Sequence, residues 1–157
     1  MPPFDHTVFD RNYFMDGLNS GKSLYENYRW LPELTIPMVM KISECLGIEK
    51  KQTILDFGCA TGFIVKAFRK MGYLAYGVDV SEWAIQNCDP EVREFVKLAP
   101  WMPRVDWVIA KDVLEHVERL EQTIDELMSA ARVGVFAVVP LSLKDGEPYI
   151  VSDYEKD

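Results

Sequence analysis

TILDFGCATGFIVKAF, residues 53–68, compresses three structural instructions into one short stretch. The apolar run at 53–57 has the length and the β-branched and aromatic content of a buried strand. Gly58 and Gly62 then bracket a turn in which the backbone can take positive φ and a ligand can approach the main chain. Beyond it Phe63, Ile64, Ala67, Phe68 and Met71 recur at helical spacing, with Lys66, Arg69 and Lys70 on the other face and Gly72 as the stop. Strand, glycine turn and helix predict a βα unit whose turn lies at the carboxyl end of the strand, where open α/β sheets bind ligands.

The pattern repeats downstream. YLAYGVDV (73–80) reads as a second strand, and Ser81 with Glu82 starts a short helix, SEWAIQNC. EVREFVKL (91–98) is expected as a third strand and VDWVIA (105–110) as a fourth. Leu120, Ile124, Leu127, Met128 and Ala131 mark a helix, and GVFAVVP (134–140) a buried fifth strand. Strands alternating with helices predict a mostly parallel sheet covered on both faces, an α/β three-layer αβα sandwich. The first fifty residues differ in kind. They hold Phe4, Phe9, Tyr13, Phe14, Tyr25, Tyr28 and Trp30, then LPELTIPMVMKISECLGI, whose later half predicts a helix. Residues 1–50 are expected as an aromatic-rich helical cap, 51–140 as the ligand-binding core and 141–157 as a tail or the start of further strands, all in one domain.

Composition narrows the partners. The chain has 157 residues, 48% of them hydrophobic, and a formal charge of −8, which is a globular balance with no basic excess. No Lys/Arg-rich run is present to neutralise successive phosphates, so nucleic acid is disfavoured as a partner. The longest apolar run, VGVFAVVPL (133–141), is too short to span a bilayer, and the N-terminus has no charged-then-apolar signal pattern. A cytoplasmic protein without a membrane partner is expected. Cys45, Cys59 and Cys88 are odd in number and widely spaced, which suits a reducing compartment and offers no zinc site.

Spacing then sorts the ligands the turn might hold. A phosphate-binding loop needs four residues between its first glycine and a Gly-Lys-Ser/Thr end; the turn has no such lysine, and GLNSGKS (17–23) has only three residues in between and no strand before it. The dinucleotide fingerprint needs a glycine where Phe63 stands. Asp112, Glu115 and His116 have i, i+3, i+4 spacing but no evident further ligand, so no metal is expected. Cys59 lacks a basic neighbour that would make it a nucleophile. Asp79 closes the second strand at the distance from the turn that suits ribose hydroxyls, while Asp56, just before the turn, suits a cationic end and repels a pyrophosphate. A ligand with a ribose, an ammonium and a sulfonium, S-adenosylmethionine, matches both.

ILDFGCATG with GVDVS after it, then VDWVIAKDVLEHV and VFAVVP, resembles the class I S-adenosylmethionine-dependent methyltransferases, especially the small-molecule branch with a Leu-Glu-His-Val segment after strand four. The resemblance runs from about residue 52 to 140 and implies a Rossmann-like fold and methyl transfer to a small-molecule or glycan-like acceptor. It implies that Asp56, Gly58, Cys59, Ala60, Thr61 and Gly62 line the methionine part of the donor and that Asp79 holds the ribose. Val80 and Trp83 would border the adenine or ribose, Lys111, Asp112 and Val113 would close the methionine end, and His116 would be the general base for a hydroxyl acceptor.

Three departures stand against the family pattern. Ala60 replaces a usual glycine, a mild change if its φ is negative; KLAP (97–100) lacks the polar residue that often meets adenine; and the family's last two strands have no counterpart before PYIVSDYEKD (148–157). Without them GVFAVVP becomes a sheet edge, to be covered by PYIVS, by a second copy in a homo-oligomer, or by a continuation of the protein. The alternatives to an enzyme of this kind are a non-catalytic interaction module with the same fold and, more remotely, an NAD-dependent oxidoreductase.

Overall fold

The computed structural model describes residues 6–141. Five strands form one sheet: β1 (Thr53–Phe57), β2 (Leu74–Asp79), β3 (Val96–Leu98), β4 (Val105–Lys111) and β5 (Ala131–Val138). Every pairing is parallel and the order is β3-β2-β1-β4-β5, so the chain steps outward from β1 to β3 and then crosses back. That reversal places the carboxyl ends of β1 and β4 side by side at a switch point, which is where the glycine turn emerges.

Alternation along the strands fills both faces. Ile54, Ala75 and Ile109 join Val65, Ala67 and Phe68 of α4 (Phe63–Lys70) and Val39 and Ile42 of α3 (Pro32–Leu46) in one apolar cluster. Leu55, Val78, Val108 and Ala110 point the other way, onto Leu127 and Ala130 of α6 (Leu120–Ala130). Both faces of the central strands β1 and β4 are thereby largely removed from water, whereas β5, expected as a buried strand, has no buried residue because it lies at the edge of the described sheet.

Several boundaries differ from the sequence expectation for identifiable reasons. α3 starts at Pro32 rather than in the later half of its segment: Pro32 takes the first helical turn, where a missing N–H costs nothing, and Pro37 is tolerated inside. Only Val96–Leu98 of EVREFVKL is strand, because Pro90–Val92 forms a 3-10 turn capped by Asp89. Ala131 opens β5 instead of closing α6, so helix passes directly into strand. Lys66, expected on the face away from the apolar stripe, is buried and bonded to Asp89 at 2.7 Å and Glu91 at 2.8 Å. Lys70 also pairs with Glu91, at 2.7 Å, and the two ammonium groups pull the Glu91 carboxyl down to about 2.

The N-terminal segment lies over the carboxyl ends of the strands. It contains α1 (Arg11–Met15) and α2 (Gly17–Ser20), and its rings stack on the core: Phe14 on Trp83 of α5 (Glu82–Gln86) at 5.4 Å and Tyr28 on Phe63 at 5.2 Å. GLNSGKS forms α2 and the turn after it, with Gly17 N–H donating to Tyr25 O at 2.8 Å. Among the described strands β5 is an edge, and PYIVS, one of the three alternative covers for it, falls outside the described residues. No helix among the described residues is long and apolar enough to cross a membrane.

Candidate active site

The turn after β1 is shaped by its own hydrogen bonds. The N–H groups of Gly58 and Cys59 both donate to Val78 O, at 2.8 and 3.0 Å, and Gly62 N–H donates to Cys59 O at 2.8 Å. Gly58 has φ +81°, and a Cβ there would stand 2.5 Å from Val113 Cγ2, so only glycine fits beneath the segment that follows β4. Ala60 also takes positive φ, +48°, so the condition under which alanine is a mild replacement for glycine is not met.

Asp79 stitches this turn to the end of β2. Its Oδ2 accepts from Ala60 N–H at 2.7 Å and its Oδ1 from Ser81 N–H at 2.8 Å. Each oxygen keeps a lone pair for a ligand hydroxyl. Burial pushes the carboxyl pKa up, against the pull of those backbone bonds.

A cavity of about 310 Å³ opens beside these groups. Its strand-end wall is Gly58, Ala60, Val78, Asp79, Val80 and Ala99, and the N-terminal segment adds Phe9, Tyr13, Phe14 and Tyr25. Asp112, Val113 and His116 border it beyond β4, followed by residues of the α6 start such as Gln122 and Thr123. Phe9 meets Tyr13 edge-on at 4.9 Å and His116 at 5.8 Å. His116 sits in a 3-10 turn, Leu114–His116, rather than at a helix start, so the i, i+3, i+4 geometry that Asp112, Glu115 and His116 would share on an α-helix is absent. Its side chain is 42% exposed, and Nε2 stands 3.8 Å from Glu115 Oε1.

Of the residues expected at the site, the structure brings Gly58, Ala60, Asp79, Val80, Asp112, Val113 and His116 to the cavity. Thr61 and Gly62 stay within the turn, and Cys59 packs against Gly77 with its N–H already committed to Val78 O. Trp83 is taken by its stack with Phe14, and Lys111 pairs with Asp112 and faces a neighbouring groove of about 430 Å³ together with Tyr28, Arg29 and Phe63.

Asp56 is 2% exposed, and its Oδ2 and Thr61 Oγ1 are buried without a hydrogen-bond partner. Burial, with the nearby Asp79 charge, pushes the Asp56 carboxyl up to about 8, against the pull of Lys111. Burial likewise raises the Cys59 thiol well above its ordinary value, which leaves it un-ionised and inert as a nucleophile.

Sequence reasoning missed Phe9, Tyr13 and Phe14 as lining residues and Ser81 as a link between segments. Ser81 Oγ donates to Phe9 O at 2.6 Å across 72 positions of chain, a contact that no local spacing announces.

A parallel sheet in this order, with a cavity at the switch point and an acidic residue closing the second strand, defines a Rossmann-like α/β fold. The family model described as "Methyltransferase domain" matches residues 29–147, more than half of the chain, and the chain belongs to that family. No curated protein sequence matches it.

Solved structures carry the same fold. A protein described as a methyltransferase of an antibiotic biosynthesis pathway, from Anabaena variabilis, is 24% identical with a TM-score of 0.61, over 76% of this chain and 51% of that one. A SAM-dependent methyltransferase from Aquifex aeolicus is 18% identical with a TM-score of 0.57, over 81% of this chain and 84% of that one. Coclaurine N-methyltransferase, bound to N-methylheliamine and SAH, is 22% identical with a TM-score of 0.57, over 73% and 37%. The chain thus spans about half the length of the first of these and less of the last.

Proposed function

We propose that this chain is an S-adenosylmethionine-dependent methyltransferase domain acting on a small-molecule or glycan-like acceptor. The observation that carries the reading is the joint placement of the Asp79 carboxylate and the Gly58–Ala60 backbone on one wall of a single cavity at the strand ends. The residues fit the donor: Asp79 retains acceptor capacity for the ribose hydroxyls, and Asp56 holds a buried oxygen still lacking a partner near the turn that would take the ammonium end. Val80 and Ala99 offer apolar edges to the adenine.

S-adenosylmethionine, when bound, supplies a methyl group on a positively charged sulfur. The protein's own work is to hold two reactants in line and keep water out. Phe9, Tyr13, Phe14 and Tyr25 give the acceptor side an aromatic wall, suited to an apolar or sugar face. His116 takes the proton released by the acceptor at a ring nitrogen. Burial raises the phenols of Tyr13 and Tyr25 above their ordinary value, so both enter the site as neutral donors rather than bases. The exposed Val133 on edge strand β5 supports self-association along that edge, and the free thiols of Cys45, Cys59 and Cys88 support a reducing, cytoplasmic setting.

Calorimetric titration with S-adenosylhomocysteine tests the reading, with NADH in parallel. Saturable binding of the first and none of the second is expected; absence of heat with S-adenosylhomocysteine at high protein concentration overturns it.

A further inference from the structure

Ser81 lies behind the cavity wall, and its contacts reach both sides of the site. It is 1% exposed. Its N–H donates to Asp79 Oδ1 at 2.8 Å, its Oγ accepts from Ala84 N–H at 3.0 Å to cap α5, and its hydroxyl donates to Phe9 O at 2.6 Å. The same residue therefore touches the carboxylate assigned to the donor ribose and the main chain of the aromatic wall. Phe9 passes the contact on, meeting Tyr13 and His116 edge-on.

We propose that Ser81 is a positioning residue that couples donor binding at Asp79 to the placement of the Phe9 wall against His116. The proposal rests on the donor assignment made above. Because Ser81 is buried, water does not compete for its hydroxyl, and the bond to Phe9 holds at full strength. Ribose hydroxyls on Asp79 restrict the 79–81 loop, and the Ser81 hydroxyl carries that restriction to residue 9. The acceptor then meets an ordered wall only after the donor is in place, and the free energy of ordering the wall is shared between the two binding events.

Where exchange changes separates this coupling from a plain capping role. Ser81→Gly keeps the N–H to Asp79 but gives up both the bond from Ala84 N–H and the hydroxyl donated to Phe9, and a capping role alone would speed exchange in α5 and leave residues 9–14 unchanged; Ser81→Thr keeps both bonds. Amide hydrogen exchange of residues 9–14 in the full chain, free and saturated with S-adenosylhomocysteine, is the readout. In the parent chain the ligand is expected to slow exchange of this segment. Ser81→Gly is expected to exchange faster when free, to lose the ligand-induced slowing and to bind S-adenosylhomocysteine about fivefold more weakly; Ser81→Thr restores all three. Exchange at 9–14 in free Ser81→Gly identical to the parent overturns the tether, and ligand-induced slowing equal in both overturns the coupling. A parent chain that binds no S-adenosylhomocysteine overturns the donor assignment, a result separable from either, since the free-state exchange needs no ligand.

Discussion

Two walls line the cavity and are built from different material. The strand-end wall joins the Asp79 carboxylate to main chain: positive-φ residues, carbonyls and N–H groups fixed by bonds of 2.7–3.0 Å to Val78 and Asp79. The N-terminal wall is mostly side chain, four rings from the first twenty-five residues, with the half-exposed His116 beside it. A main-chain wall presents the same surface whatever the acceptor, which suits an invariant donor. A wall of rings can be re-cut by substitution without disturbing the sheet, which suits the part of the site that sets specificity.

The two walls are expected to fail differently. His116→Ala is expected to lower turnover by roughly 100-fold, the lower range for loss of a general base, with S-adenosylhomocysteine affinity unchanged. Steady-state rates with an acceptor found by screening and a parallel titration check it; equal turnover removes His116 as the base. Asp79→Ala is expected to weaken S-adenosylhomocysteine binding by roughly 10- to 100-fold, through lost charge-assisted hydrogen bonds. It also strips Ala60 and Ser81 N–H of their acceptor, so chemical denaturation should show lower stability as well. Unchanged affinity would remove Asp79 from the ribose.

Asp56, buried on β1 just before the glycine turn, is expected to make ligand binding sensitive to pH. With its carboxyl raised to about 8, it is mostly protonated at pH 7, whereas an ammonium ligand favours the carboxylate. Binding of S-adenosylhomocysteine should therefore release a proton, and affinity should rise by up to about tenfold per pH unit toward pH 8 and level off above it. The sign for folding is the reverse: a raised carboxyl pKa gives stability that is present at low pH and lost as pH climbs through about 8. Calorimetry in buffers of different ionisation enthalpy measures the proton directly, and Asp56→Asn should abolish its release. Release undiminished in Asp56→Asn would assign it to another group.

The same contrast explains what the sequence disclosed. β1, its glycine turn, α4 and Asp79 lie within twenty-seven residues, and each is announced by a local signal: a short apolar run, paired glycines, a 3.6-residue period, an acid at a strand end. The aromatic wall has no such signature. Phe9, Tyr13 and Tyr25 reach the cavity through a bridge between Asp16 and Glu26, the Gly17 to Tyr25 bond and the Ser81 tether, all matters of tertiary packing. The burial of Lys66 is illegible for a related reason: a helical period shows which face is polar, but not that Asp89 and Glu91 arrive to pair with it.

Ala60 supplies the smallest test, and it falls on the wall made of main chain. At φ +48° an alanine bears a cost of about 1 kcal/mol that glycine escapes. Glycine in turn loses more freedom on folding, by roughly 0.5–1 kcal/mol. The two nearly cancel, so Ala60→Gly is expected to change stability by no more than about 0.5 kcal/mol, a shift of roughly 1–2 °C in Tm. The N–H to Asp79 survives the change, because it belongs to the backbone. S-adenosylhomocysteine affinity should accordingly stay within about twofold of the parent, since the backbone N–H and the Asp79 carboxylate are both retained. A loss of affinity beyond that would mean that the Ala60 methyl itself touches the donor, alongside Asp79 and the backbone.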